Sequence, residues 1–222
     1  GMTGQMQNSV AIGNQAGKSG QENNSVAIGN QAGQQDQSAN SVAIGFLAGY
    51  EDQSSSSVAI GSTAGMTGQM ANSVAIGNEA GHTGLEQNSV AIGYQAGYKD
   101  LGRHSIAIGF EAGYDVNDGD NNILIGRASG KDQQLNPCEM NNCIYIGSNI
   151  AGDPSWNRTN EIIIGNNITS DISGRESNTI ILGGTDINFI YIPGWNNLPD
   201  NSGGLVSGQL YVDASDNIKI KR

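Results

Sequence analysis

The chain has 222 residues, with 21 acidic and 10 basic side chains giving a formal net charge of -11, together with 33 glycines and only 4 prolines. That charge opposes binding to nucleic acid or to anionic membranes. Glycine without a three-residue period and with so little proline excludes collagen, and no stretch approaches the roughly 18 apolar residues of a membrane span.

Gly1–Asn8 reads GMTGQMQN and Gly65–Asn72 reads GMTGQMAN, so the chain opens inside a repeat and reads as part of a longer array. The absence of a basic, apolar leader therefore carries little weight. A serine followed by Val-Ala-Ile-Gly, or Ile-Ala-Ile-Gly in the last copy, closes at Gly13, Gly29, Gly45, Gly61, Gly77, Gly93 and Gly109, every interval being sixteen residues. The pattern continues more loosely at Gly126, Gly147, Gly165 and Gly183. A unit this short cannot bury a core alone and must stack on copies of itself. A disordered spacer would not need β-branched residues in fixed register. The period predicts an all-β, parallel β-solenoid of 16-residue coils.

Within one coil, Asn8–Gly13 reads as a short strand with two distinct faces. Alternation sends Val10 and Ile12 one way and Ser9 and Ala11 the other. We expect the Val10 and Ile12 columns to fill the core. The Ala11 column, which includes Ala59, and a second column from Ala16 to Ala112 would then face neighbouring protomers, three around an axis. Alanine has poor β-propensity, so its return on a water-facing strand needs a reason. The alternative is a monomeric solenoid whose alanines merely fit a thin coil. With roughly 4.8 Å per rung, the ten steps from Gly13 to Gly183 give a rod of about 48 Å.

At the corners, Asn8, Asn24, Asn40, Asn72, Asn88, Asn121, Asn142, Asn160 and Asn178 recur, either as an amide ladder or each bonding its own turn. Gly17 and its repeats mark a second corner that suits positive φ or tight approach. These glycines are not a phosphate cradle, since no strand–GxGxxG–helix setting accompanies them. Tyr98 and Tyr114 occupy equivalent turn positions near Tyr94 and Phe110, and suit either receptor contact or clamping of the turns. Asp115, Asn117, Asp118 and Asp120 bring oxygen atoms together where the spacing first slips by one residue. That pattern fits a calcium ion or a solvated acidic turn; it lacks the downstream Glu of an EF-hand. No other cofactor is expected.

Beyond Gly109 the strands become NNILIG, NNCIYIG, NEIIIG and NTIILG, with Leu124, Tyr145, Ile163 and Ile181 at the alanine position. Three successive apolar residues suit a strand buried on both faces, so the solenoid should widen or change its packing near Gly126. Cys138 and Cys143 suit either a small loop-closing disulfide or two thiols. Trp156 and Trp195, in non-repeating segments, are candidate receptor contacts. Asn188–Gly194 reads as a last rung, and Gln209–Asp213 with Ile218–Lys221 as a hairpin that would cap the array. Three segments follow: a regular array over 1–120, a widened solenoid over 121–183, and a C-terminal cap or tip over 184–222.

At NSVAIGNQAG, NSVAIGNEAG and NSVAIGYQAG the chain resembles the head repeats of YadA-like trimeric autotransporter adhesins. The match is good over Asn8–Gly113 and loose over Asn121–Gly183. It implies a left-handed β-roll, a homotrimer, and an adhesive role outside the cell. The period is somewhat longer than usual in that family, and no neck, stalk or anchor motif follows Gly183. Instead LVSGQLYVDASDNIKIKR, at Leu205–Arg222, resembles the endings of phage and viral tail or receptor-binding fibres. The expected function is therefore a non-enzymatic attachment fibre of a virion, phage or phage-like particle, bound to a cell-surface glycan or protein receptor and without membrane insertion. The alternatives are a bacterial adhesin head, a purely structural spacer, and a depolymerase that sets two carboxylates across a glycan.

Overall fold

The computed structural model describes residues 4–116, 119–131, 140–151, 158–168, 180–182, 210–212 and 218–220. The chain forms two units, Gly1–Asp186 and Ile187–Arg222. In the first unit each 16-residue coil contributes one three-residue strand: β1 (Val10–Ile12), β2 (Val26–Ile28), β3 (Val42–Ile44), β4 (Val58–Ile60), β5 (Val74–Ile76), β6 (Val90–Ile92) and β7 (Ile106–Ile108). β8 (Ile123–Ile125), β10 (Ile144–Ser148), β12 (Ile162–Asn166) and β13 (Ile180–Leu182) extend the same stack. Together they form one eleven-stranded sheet. Every pairing is parallel and in register, with Val26 beside Val42 and Ala59 beside Ala75. A second line of parallel bridges runs through Ser19, Gln35, Glu51, Thr67, Thr83, Lys99 and Asp115 on the return limb of each coil. The chain is a parallel β-solenoid.

The interior reverses the expected assignment of faces. Ala27, Ala43, Ala59, Ala75, Ala91 and Ala107 are completely buried, as is the second column from Ala16 to Ala112. The flanking Val and Ile residues are only half-buried or exposed. The alanines therefore form the core of each chain, and the Val10 and Ile12 columns point outward. Thinness is the physical reason. A Cβ placed on Gly17 would lie 3.3 Å from the Ala11 methyl, so the centre of the strand, which meets that corner, has room for a methyl group but not for a branched side chain. Ser25, Ser41, Ser57 and Ser73 share the alanine face and are buried. Each donates its hydroxyl to the carbonyl three residues earlier, at 2.6–2.7 Å.

Two further features close the coil. The glycine that ends each strand has φ near 134°, and a Cβ on Gly61 would lie 2.3 Å from the Gly77 carbonyl oxygen on the next rung. Only glycine fits there. At the asparagine corner, Asn8, Asn24, Asn40, Asn72 and Asn88 all have φ between 57° and 60°. Asparagine tolerates this left-handed conformation better than most residues. Asn8 donates to Asn24 at 3.2 Å and Asn24 to Asn40 at 3.3 Å, so an amide ladder runs through the first three coils.

From β8 onward larger side chains fill the interior. Leu124, Tyr145 and Ile163 occupy the alanine position and are completely buried, while β10 and β12 lengthen to five residues. The outer face does not become buried, however: Ile164 is 43 % and Ile180 67 % exposed. A second short parallel pair, β9 (Met140–Asn141) with β11 (Arg158–Thr159), joins this part and has no counterpart in the regular coils. Cys143 is buried at the entrance to β10, and Cys138 lies outside the described residues. In the second unit, β14 (Leu210–Val212) pairs antiparallel with β15 (Ile218–Ile220), which is the expected hairpin. The expected rung at Asn188–Gly194 lies outside the described residues.

Candidate interaction surfaces

The largest surface with unspent chemistry is the outward face of the eleven-stranded sheet. Alternation along each strand puts two β-branched side chains there per rung, and in-register stacking turns them into two continuous columns from Val10 and Ile12 to Ile162 and Ile164. Parallel sheets normally have both faces covered. In this unit one face packs on the alanine core, and no described residue of the same unit covers the other.

A second surface lies on the turns that follow each strand, where residues sixteen apart stack directly. His82, Tyr98 and Tyr114 form one ladder, with ring centroids 4.8 and 4.9 Å apart and planes within 20° and 4°. Tyr94 and Phe110 form another, at 5.1 Å. Both end on a cation: Lys131 Nζ lies 4.9 Å from the Tyr114 ring centre and Arg127 5.8 Å from that of Phe110. Acidic and amide groups run between them, where Gln95 donates to Glu79 at 2.6 Å and Lys131 pairs with Glu111 at 2.6 Å. Burial pushes the Tyr98 and Tyr114 hydroxyl pKa values up, with further upward contributions from neighbouring tyrosines and carboxylates. Burial lowers that of His82, partly opposed by Glu79. Spacing brought Tyr98 and Tyr114 together in the sequence. The roles of His82, Arg127 and Lys131 went unrecognised, although His82 stands sixteen residues before Tyr98 and both cations follow the same turn.

This stacking bears on what the rings can do. A sugar packs on an open aromatic face, but both faces of Tyr98 and Tyr114 are taken by a neighbouring ring or by the Lys131 cation. Tyr98 and Tyr114 present their edges instead, which favours the clamping role over a stacking platform. Trp156 and Trp195 lie outside the described residues.

The acidic turn can be followed only in part, because Asn117 and Asp118 lie outside the described residues. Asp115 faces Lys99 at 3.5 Å, and its other oxygen is buried without a hydrogen-bond partner. Asp120 accepts from the Arg103 backbone N–H at 2.8 Å and pairs with its guanidinium at 3.2 Å. Basic groups thus already engage these two carboxylates. No group of three His, Cys, Asp or Glu side chains suited to a metal ion occurs among the described residues. Among the described residues, no helix is long and apolar enough to cross a membrane.

No protein-family model, no curated protein and no solved structure matches this chain.

Proposed function

We propose that the chain is a segment of a homotrimeric attachment fibre, its solenoid serving as a stiff shaft and its irregular C-terminal part as the recognition region. The observation that carries this reading is the uncovered Val/Ile face. It runs the length of the sheet, repeats at every rung, and is the face that a parallel sheet most needs to bury. Other copies of the same chain supply a matching column at the same spacing. Three copies around a common axis is the arrangement that the NSVAIG resemblance implies. The interface therefore lies on Val10, Ile12 and their repeats, and the alanine columns have no part in it. Repetitive rungs suit length and rigidity, whereas specificity needs local irregularity, which the sequence offers around Cys138 and Trp156 and over Pro193–Arg222. The fibre end of a virion or phage-like particle fits Leu205–Arg222, and the adhesin head of a bacterial surface protein fits the repeats; both place the chain outside the cell.

Native mass measurement should give three times the 23.0 kDa chain. Twice that mass would replace the trimer by a face-to-face pair, and a stable monomer would reject the interface. Trp156→Ala with Trp195→Ala should weaken attachment to target cells at unchanged mass. Dissociation on these changes would make the tryptophans packing residues, and full attachment would move recognition onto the shaft.

A further inference from the structure

The regular coils look interchangeable in sequence, yet their interiors are of two kinds. From β2 to β7 the position five residues before the strand is filled by Gln21, Gln37, Gln53 and Gln69, then by Leu85 and Leu101, all fully buried, and Val116, seven residues before β8, is buried in the same way. Each glutamine donates to the carbonyl of Val10, Val26, Val42 or Val58 at 2.8–2.9 Å. Gln37 also donates to Gln53 at 3.1 Å, and Gln53 to Gln69 at 3.3 Å. The ladder is incomplete: the side-chain oxygens of Gln21 and Gln37 are buried with no partner. Burying such an oxygen unpaired costs the hydration it had in water, a cost that leucine in the same place never meets.

The outside changes at the same point in the chain. Both aromatic ladders lie between His82 and Lys131, and no two rings stack between residues 4 and 81. The ion pairs of Lys99, Arg103 and Lys131 also fall there. Exposed ion pairs add little individually. Apolar interior filling and ring stacking add more, and both act across the rung-to-rung interface. In a solenoid those interfaces set local stability, because each coil touches only its neighbours.

We propose that the shaft has a built-in order of opening: the coils from His82 to Lys131 form its stable block, and the glutamine-cored coils on their N-terminal side open first, as a group. The boundary falls between Gln69 and Leu85.

Hydrogen–deuterium exchange on the intact oligomer tests this. Slow-exchanging amides in 83–116 should exchange at least about tenfold more slowly than those in 37–69, with a step at the boundary. Gln69→Leu should carry the step one coil towards the N-terminus. That substitution repeats what the chain itself has at Leu85, so the coil can accommodate it. Leu101→Gln should raise exchange in the coils beside it. Equal protection in the two blocks would overturn the proposal. So would a smooth decline towards the N-terminus, the signature of end fraying, or a step that Gln69→Leu leaves in place.

Discussion

At the scale of single residues, the repeat is held by positions that tolerate one side chain for one physical reason. Gly61 and Gly68 both have positive φ, at 135° and 68°, yet they should respond differently to alanine. A Cβ on Gly61 meets the Gly77 carbonyl at 2.3 Å, whereas one on Gly68 has its nearest neighbour at 3.9 Å. Gly68→Ala should cost only the left-handed strain, about 1–2 kcal/mol. Gly61→Ala must also push two rungs apart and should exceed about 4 kcal/mol, visible as loss of cooperative thermal unfolding. His82 gives a pH effect of definite sign. Its folded pKa lies below the ordinary 6.5 through burial, so the unfolded chain binds the proton more readily. Its contribution to stability is complete above about 6.5 and falls away as pH drops towards the folded value. Melting temperatures of wild type and His82→Phe should therefore diverge as the pH is lowered from 7.5 to 5.5, with wild type losing more.

At the scale of the strand, two neighbouring residues separate folding from assembly. Ala59 is completely buried inside the coil, and Ile60 beside it is outward and half-buried. Ala59→Arg places a long cation where only a methyl fits, and should destabilise the chain itself by more than about 4 kcal/mol, read as insoluble or unfolded product. Ile60→Glu leaves the interior intact. It should retain the β circular dichroism of the fold while the native mass falls to that of one chain. A folded, monomeric Ala59→Arg protein would put the alanines at the interface after all. The aromatic ladders teach a related lesson. Tyr98 and Tyr114 were conspicuous in the sequence, but their ring-on-ring stacking shows the faces to be occupied.

At the scale of the whole shaft, the interface proposed on the Val/Ile columns carries no charge in its centre. Its stability should therefore be insensitive to screening and, being hydrophobic, slightly strengthened by sulfate. The trimeric mass should persist in molar salt; dissociation there would point to an assembly held by surface charges. With a net charge of -11 the chains repel one another at long range. Association must come from the apolar face and should become somewhat faster as salt screens that repulsion.

The sequence by itself determined the solenoid. Sixteen-residue spacing, a glycine after each strand and in-register β-branched residues leave little else that could bury a core. It also located the asparagine corner and the C-terminal hairpin, each through residue types whose backbone requirement is local. It did not determine which face of the strand was inside. Period-two alternation specifies that Val10 and Ile12 oppose Ala11, but it is symmetric between inward and outward. Tertiary structure broke that symmetry at the strand's central position, where the Gly17 corner lies too close for anything beyond a methyl group. The glutamine column is easily taken for polar turn residues when read along the chain. Its burial follows from how the return limb closes over the alanines, a property of the whole coil that no single residue encodes.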